Sequence, residues 1–302
     1  MTHPHLAPIL ANRSPLSPIP TETEPRLSKL TDVLAVIFDV YGTLVISGSG
    51  DVGTADDRGG TEADTDPVIS AAALSAGLVA DGDRNAIVRL PRRQDLLEAI
   101  VNSNTASKSD ANTKPEVVIL DVWREVFESR GLGSAAFDVA ALTRFACDVE
   151  SRWNPTWPMP GAGEAIASLA EAGHLLGIVS NAQIFTLPLI EDLAGGALSD
   201  RFDLNLCFFS DRFRSAKPDS RLFDHLIGAL DRCGIAPSQA VYVGNDMLND
   251  VWTARQAGLR TILFAADRRS LRLRESVATC KNLEPDVVVS SWRDVVECLR
   301  SG

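Results

Sequence analysis

Six short apolar runs punctuate the chain. The first, residues 33–38, reads Val-Leu-Ala-Val-Ile-Phe without a polar break and stops at Asp39. Runs of the same kind occur at Leu175–Val179, Leu204–Phe209, Ala240–Val243, Thr261–Phe264 and Val287–Val289. A strand with one wet face alternates polar and apolar residues. An unbroken run suits a strand covered on both faces, as in a parallel sheet. Helical spacing separates most of the runs, at Gly163–Ala172, Arg221–Arg232 and Asp250–Ala257. The alternation predicts right-handed crossovers and a doubly wound, Rossmann-like α/β fold.

More than a hundred residues part the first strand from the second. The insert opens on a Gly/Asp-rich stretch, Ser47–Asp66, expected as a flexible hinge or lid. Helical patterns follow near 66–80, 91–102, 115–130 and 134–152, broken by polar residues Asn102–Lys114. Residues 31–46 and 158–302 are thus expected as the core, and 47–157 as an inserted helical cap domain. Residues 1–30 hold six prolines and no continuous apolar core, and are expected as a disordered tail.

Composition narrows the functions. Of 302 residues, 45% are hydrophobic and 23% charged, values ordinary for a globular chain. The formal net charge of -11 argues against nucleic acid or an anionic membrane as partner. It also requires local positive charge at any phosphate or carboxylate site. No apolar run approaches the roughly 18 residues of a membrane span. Five cysteines without a C-x-x-C pair read as reduced thiols of a cytoplasmic protein. His174 and His225 are isolated, which argues against zinc. The expected partner is a small-molecule substrate; nothing in the pattern fixes an oligomeric state.

Ligands of a parallel α/β sheet bind beyond the carboxyl ends of its strands. Those ends carry Asp39, then Ser180-Asn181, then Asn245-Asp246 with Asp250, and Lys217 follows the third strand. Facing carboxylates repel, and a lysine with a divalent cation would relieve them. Mg²⁺ suits such oxygen donors.

The segments Phe38-Asp39-Val40-Tyr41-Gly42-Thr43-Leu44, Ile178-Val179-Ser180-Asn181-Ala182, Ser215-Ala216-Lys217-Pro218-Asp219 and Val243-Gly244-Asn245-Asp246-Met247-Leu248-Asn249-Asp250 stand in this order. Together they resemble the four motifs of the haloacid dehalogenase-like (HAD) hydrolase superfamily. The insert falls where that family carries its helical C1 cap. The resemblance implies a hydrolase in which Asp39 is a covalent nucleophile and Thr43 holds its loop. Ser180 and Asn181 would serve the substrate, and Lys217 would neutralise charge. Mg²⁺ would sit at Asp39, Tyr41, Asp246 and Asp250.

Two departures divide the reading. The family's phosphatases carry a second aspartate two residues after the nucleophile, as acid and base. Here that residue is Tyr41, as in the metal-free 2-haloacid dehalogenases. The fourth motif resembles metal-dependent phosphatases, with Asn245 where glycine is usual; an alternative alignment puts Asn245, not Asp246, at the metal. The acidic corner favours a Mg²⁺-dependent phosphatase acting on a small phosphorylated metabolite. A metal-independent dehalogenase and a non-catalytic binding protein are the alternatives. For a dehalogenase, Arg84, Arg89, Arg92 and Arg93 are the insert's available carboxylate partners. Trp153, Asn154 and Trp157 mark the junction between insert and core.

Overall fold

A computed structural model describes residues 6–50, 66–108, 113–133 and 138–300. Residues 51–65 of the expected lid lie outside the described residues. Among the described residues eight strands are formed: β1 (Ala35–Phe38), β2 (Val45–Ser47), β3 (Thr156–Pro158), β4 (Leu175–Ser180), β5 (Cys207–Phe209), β6 (Ala240–Gly244), β7 (Arg260–Phe264) and β8 (Val287–Val289). Six make one sheet in the order β5-β4-β1-β6-β7-β8. All its pairings are parallel.

Each apolar run serves two cores because successive side chains point to opposite faces. Val36 and Phe38 of β1 join the cluster holding Ala162, Ile166, Trp292 and Val295. Ala35 and Ile37 join the opposite cluster, with Leu222, Phe223, Leu226 and Leu230. Helices Ala162–Glu171 and Trp292–Leu299 thus cover one face, and Arg221–Arg232 the other. The run at 204–209 is shorter as a strand than expected, because Leu204–Leu206 forms a 3₁₀ turn before β5.

The chain runs outward from β1 to β4 and β5, then returns to β6 on the other side. β1 is therefore the strand where the order reverses. Phe38 pairs in register with Ile178 on β4 and Val243 on β6. This register sets Asp39 between the ends of those two strands.

The insert is helical, at Pro67–Ala76, Arg84–Val88, Arg93–Ser107, Ile119–Ser129 and Val139–Trp153. Trp123, Phe127 and Phe145 pack at its centre, with Trp123 and Phe145 rings 4.8 Å apart. β2 and β3 form an antiparallel ribbon where the chain leaves and re-enters the core, an element the sequence reading lacks. Buried Asn154 fastens this neck, accepting hydrogen bonds from Ser47 Oγ at 2.8 Å and Ser49 N at 3.2 Å.

The expectation of disorder over residues 1–30 is corrected from residue 6 onward. Leu6–Ala11 is helical, and Ile9 is buried. Asn12 donates to Asp148 Oδ1 at 2.6 Å and to Ser151 Oγ at 2.8 Å. Arg26 exchanges backbone hydrogen bonds with Val288 at the edge of the sheet. A proline-rich segment cannot build a core of its own. It can still dock on surface that the rest of the chain supplies, and local composition does not reveal that.

Candidate active site

The loop after β1 is the tightest part of the site. Gly42 has φ of +79°, and a Cβ there would collide with the Ser270 side chain. Glycine alone takes that conformation without steric penalty. Thr43 Oγ1 donates to Asn245 Oδ1 at 3.0 Å, and Asn245 Nδ2 donates to Ser270 O at 2.6 Å. Asp39 N donates to Val243 O at 2.9 Å. The loops following β1 and β6 are thereby joined.

Lys217 lies at the centre, its side chain only 2% exposed. Its Nζ donates to Asp39 Oδ1 at 2.8 Å, Asp250 Oδ1 at 2.6 Å and Tyr242 OH at 2.8 Å. An ammonium has three protons, and each has an acceptor. Tyr242 in turn donates to Val179 O at 2.6 Å. Burial opposes the lysine's charge, but Asp250 and Asp39 outweigh it and raise its pKa. Burial pushes Asp250 up to about 7, against the pull of Lys217. Asn181 Oδ1 accepts the backbone N–H of Lys217 at 2.7 Å, which holds that residue's loop against the end of β4.

A small cleft above these groups is lined by Asp39, Tyr41, Asn181, Lys217, Asn245, Asp246, Asp250 and Arg272, among others. Sequence-predicted residues thus converge, except that Thr43, buried beneath the loop on Asn245, and Ser180 do not line the cleft. Ser180 is fully buried, bonds Asn181 O at 3.2 Å and does not line the cleft. Tyr41 lines it, but its hydroxyl lies 3.0 Å from Thr186 Oγ1. Burial, then Glu150, push the Tyr41 pKa well above the usual phenol value.

The acidic corner differs from expectation. Asp246 caps the turn that follows it, Oδ1 accepting Leu248 N at 2.8 Å and Asn249 N at 3.2 Å. Asn249 Nδ2 reaches Oδ2 at 3.0 Å. Arg274 then closes on the same carboxylate, with Nη2 2.6 Å from Oδ2. Asp250 Oδ2 accepts Asp246 N at 2.9 Å, and its Oδ1 holds Lys217. Asn245, the alternative ligand, is neutral and tied to Thr43 and Ser270. Two cations pair with the three carboxylates, Lys217 with Asp39 and Asp250 and Arg274 with Asp246, while Arg272 lines the cleft on backbone carbonyls. Among the described residues no group of His, Cys, Asp and Glu is arranged to hold a metal ion. Each expected donor is already engaged by the protein: Asp39 and Asp250 by Lys217, Tyr41 by Thr186 and Asp246 by Arg274. The expectation paired these carboxylates with Lys217 and a divalent cation; Arg274, from a distant loop, is the partner it did not include.

Arg272, Arg274 and Tyr242 are the residues that sequence reasoning missed. Arg272 lines the cleft, and its guanidinium is held by Arg269 O at 2.7 Å and Gly50 O at 3.1 Å. Both arginines come from an irregular segment after β7, where no periodicity marks a position. Their one visible signal is the dense basic stretch Arg268 to Arg274. Tyr242 reads as a core residue in mid-strand. Of the four arginines of the insert considered for substrate binding, Arg93 reaches the neighbouring cavity, its guanidinium 5.0 Å from the Trp153 ring centroid. Among the described residues no helix is long and apolar enough to cross a membrane.

The parallel sheet thus presents an aspartate, a buried lysine and a second buried aspartate at one switch point, the arrangement of a hydrolase site. A family model described as "Hydrolase: haloacid dehalogenase-like hydrolase" matches residues 33–258. The chain is 30% identical to a phosphoserine phosphatase of Thermus thermophilus over 66% of its own length and 75% of that protein's. It is 32% identical to a glyceraldehyde 3-phosphate phosphatase of Methanothermobacter thermautotrophicus over 36% of its length and 46% of that protein's. The fold is similar to that of a 2-haloacid dehalogenase from Pseudomonas syringae, with a TM-score of 0.53 at 20% identity, covering 88% of this chain and 97% of that one. The protein belongs to the haloacid dehalogenase-like hydrolase family, and is an enzyme of that class.

Proposed function

We propose that the protein hydrolyses phosphate monoesters, with Asp39 as the nucleophile. The observation that carries this reading is the Lys217 ammonium, bound at 2.8 Å to only one oxygen of a carboxylate that lines the cleft. Lys217 and Arg272 supply local positive charge in a chain of net charge -11, as a dianionic phosphate requires. The similarity to two phosphatases, at 30% and 32% identity, supports the same substrate class.

Asp39 attacks phosphorus, the new P–O bond forms, and the ester P–O bond breaks. Water then attacks the aspartyl phosphate, releasing phosphate and restoring the carboxylate. Lys217 offsets charge through both steps, and Asn181 keeps its backbone in place. Tyr41 occupies the position of the usual acid, with its hydroxyl engaged by Thr186. General acid help is typically worth about 10² to 10⁴ in rate. Its loss here selects esters whose leaving oxygen is stable as an anion. The family's phosphatases are typically Mg²⁺-dependent; with Lys217 on Asp39 and Asp250 and Arg274 on Asp246, this reading has turnover proceed without added metal.

A second reading, metal-independent dehalogenation of a 2-halo acid, is favoured by the same two features, Tyr41 and the compensated carboxylates. The test is release of phosphate from 4-nitrophenyl phosphate, and of halide from 2-chloropropionate, each with Mg²⁺ and with EDTA. Phosphate release in EDTA that is lost in Asp39→Asn supports the proposal. Halide release without phosphate release replaces it with the second reading. Neither product refutes both.

A further inference from the structure

Beside the small cleft lies a cavity of about 500 Å³ between the helical insert and the core. The two share Asn181, Lys217 and Asn249, so a ligand held at Lys217 extends directly into the larger space. Its walls include Leu96, Ile100, Trp123, Val149, Trp153 and Phe185. Four of these, Leu96, Trp123, Val149 and Phe185, are at least nine-tenths buried. The half-buried Ile100 and Trp153 carry the accessible apolar surface of this wall, backed by these four. Its acidic groups are engaged at the wall: Glu150 accepts from Asn154 Nδ2 at 3.1 Å, and Glu116 from Ser210 Oγ at 2.8 Å.

We propose that the substrate is a phosphate monoester of a bulky phenol, whose rings fill this cavity while the phosphate sits between Asp39, Lys217 and Arg272. The proposal rests on the phosphohydrolase reading and names the substrate class for that same site. Two independent observations converge on it. A pocket of about 500 Å³ falls in the range that takes drug-sized ligands, and a three-carbon ester would leave most of it to water. Separately, Tyr41 in the acid's position selects a leaving group stable as an anion, which an aryl oxide is and an alkoxide is not. The half-buried Trp153 ring offers such a body an aromatic contact.

Binding of stable phosphonates to the full chain tests this without requiring turnover. Calorimetric titration with 2-naphthylmethylphosphonate should give a Kd at least roughly tenfold below that for methylphosphonate, because the rings leave water. Ile100→Glu, at a half-buried wall position, should abolish the preference while thermal unfolding shows the fold intact; Trp153→Ala should weaken it. Equal affinities in the wild type, no binding of either ligand, or a preference that survives Ile100→Glu in a folded protein would overturn the proposal. Selective binding without phosphate release from 2-naphthyl phosphate would leave the cavity's ligand class standing and remove the phosphohydrolase reading instead.

Discussion

Arg274 lays the edge of its guanidinium along the Asp246 carboxylate, Nε 3.1 Å from Oδ1 and Nη2 2.6 Å from Oδ2. This contact turns a carboxylate expected to bind metal into half of an ion pair. Arg274→Ala leaves Asp246 largely buried with only its turn N–H groups and Asn249 as partners. The expected loss is about 1–3 kcal/mol of stability. Mg²⁺ should then raise the melting temperature of the variant by more than it raises that of the wild type. Equal Mg²⁺ effects on both proteins would show that Arg274 does not stand in for an ion.

Lys217→Met removes a cation that touches both Asp39 and Asp250. Breaking a buried pair on one side costs about 3–5 kcal/mol, because the abandoned charges remain. Denaturant unfolding should show a loss of that size, and adding Asp250→Asn should recover part of it. Turnover should fall roughly 10² to 10³-fold, the scale of a lost electrostatic stabiliser.

Gly42→Ala places a methyl group against Ser270 at a φ of +79°. A stability loss of about 1–3 kcal/mol follows from the strained backbone. Because the same loop carries Asp39, kcat should fall more than KM rises, which steady-state kinetics will separate.

Glu116 is half-buried at the cavity wall, and desolvation raises its pKa above the usual carboxyl value, against the Ser210 hydrogen bond. A folded-state pKa above the unfolded one means that the folded protein holds the proton longer. This group's contribution is complete below the unfolded pKa and is lost as pH rises through the folded one. Glu116→Gln keeps the shape without the charge. Its melting temperature relative to wild type should therefore rise with pH from about 4 upward. A pH-independent difference would mean that the carboxyl carries no such shift.

The six strands were legible because each is a continuous apolar run, which only burial on both faces explains. Asp39, Asn181 and Lys217 were legible because they follow such runs, where a parallel sheet gathers its ligands. The β2–β3 ribbon was not, since Val45–Ser47 and Thr156–Pro158 are each three residues long and over a hundred apart in sequence. The packing of residues 6–30 was hidden for a related reason: Asn12 and Arg26 find their partners at Asp148 and Val288. Composition reports whether a segment can fold alone, not whether a finished surface awaits it.

By itself the sequence determined the order of strands and helices, the place of the insert and the identity of the groups at the strand ends. Periodicity and chain order are local properties, and those features depend on nothing else. Only the tertiary structure decided the charge state of the site. Whether Asp246 and Asp250 stand open or compensated depends on where Arg274 and Lys217 come to rest. Coulombic partners are chosen by distance in space, which separation along the chain does not encode.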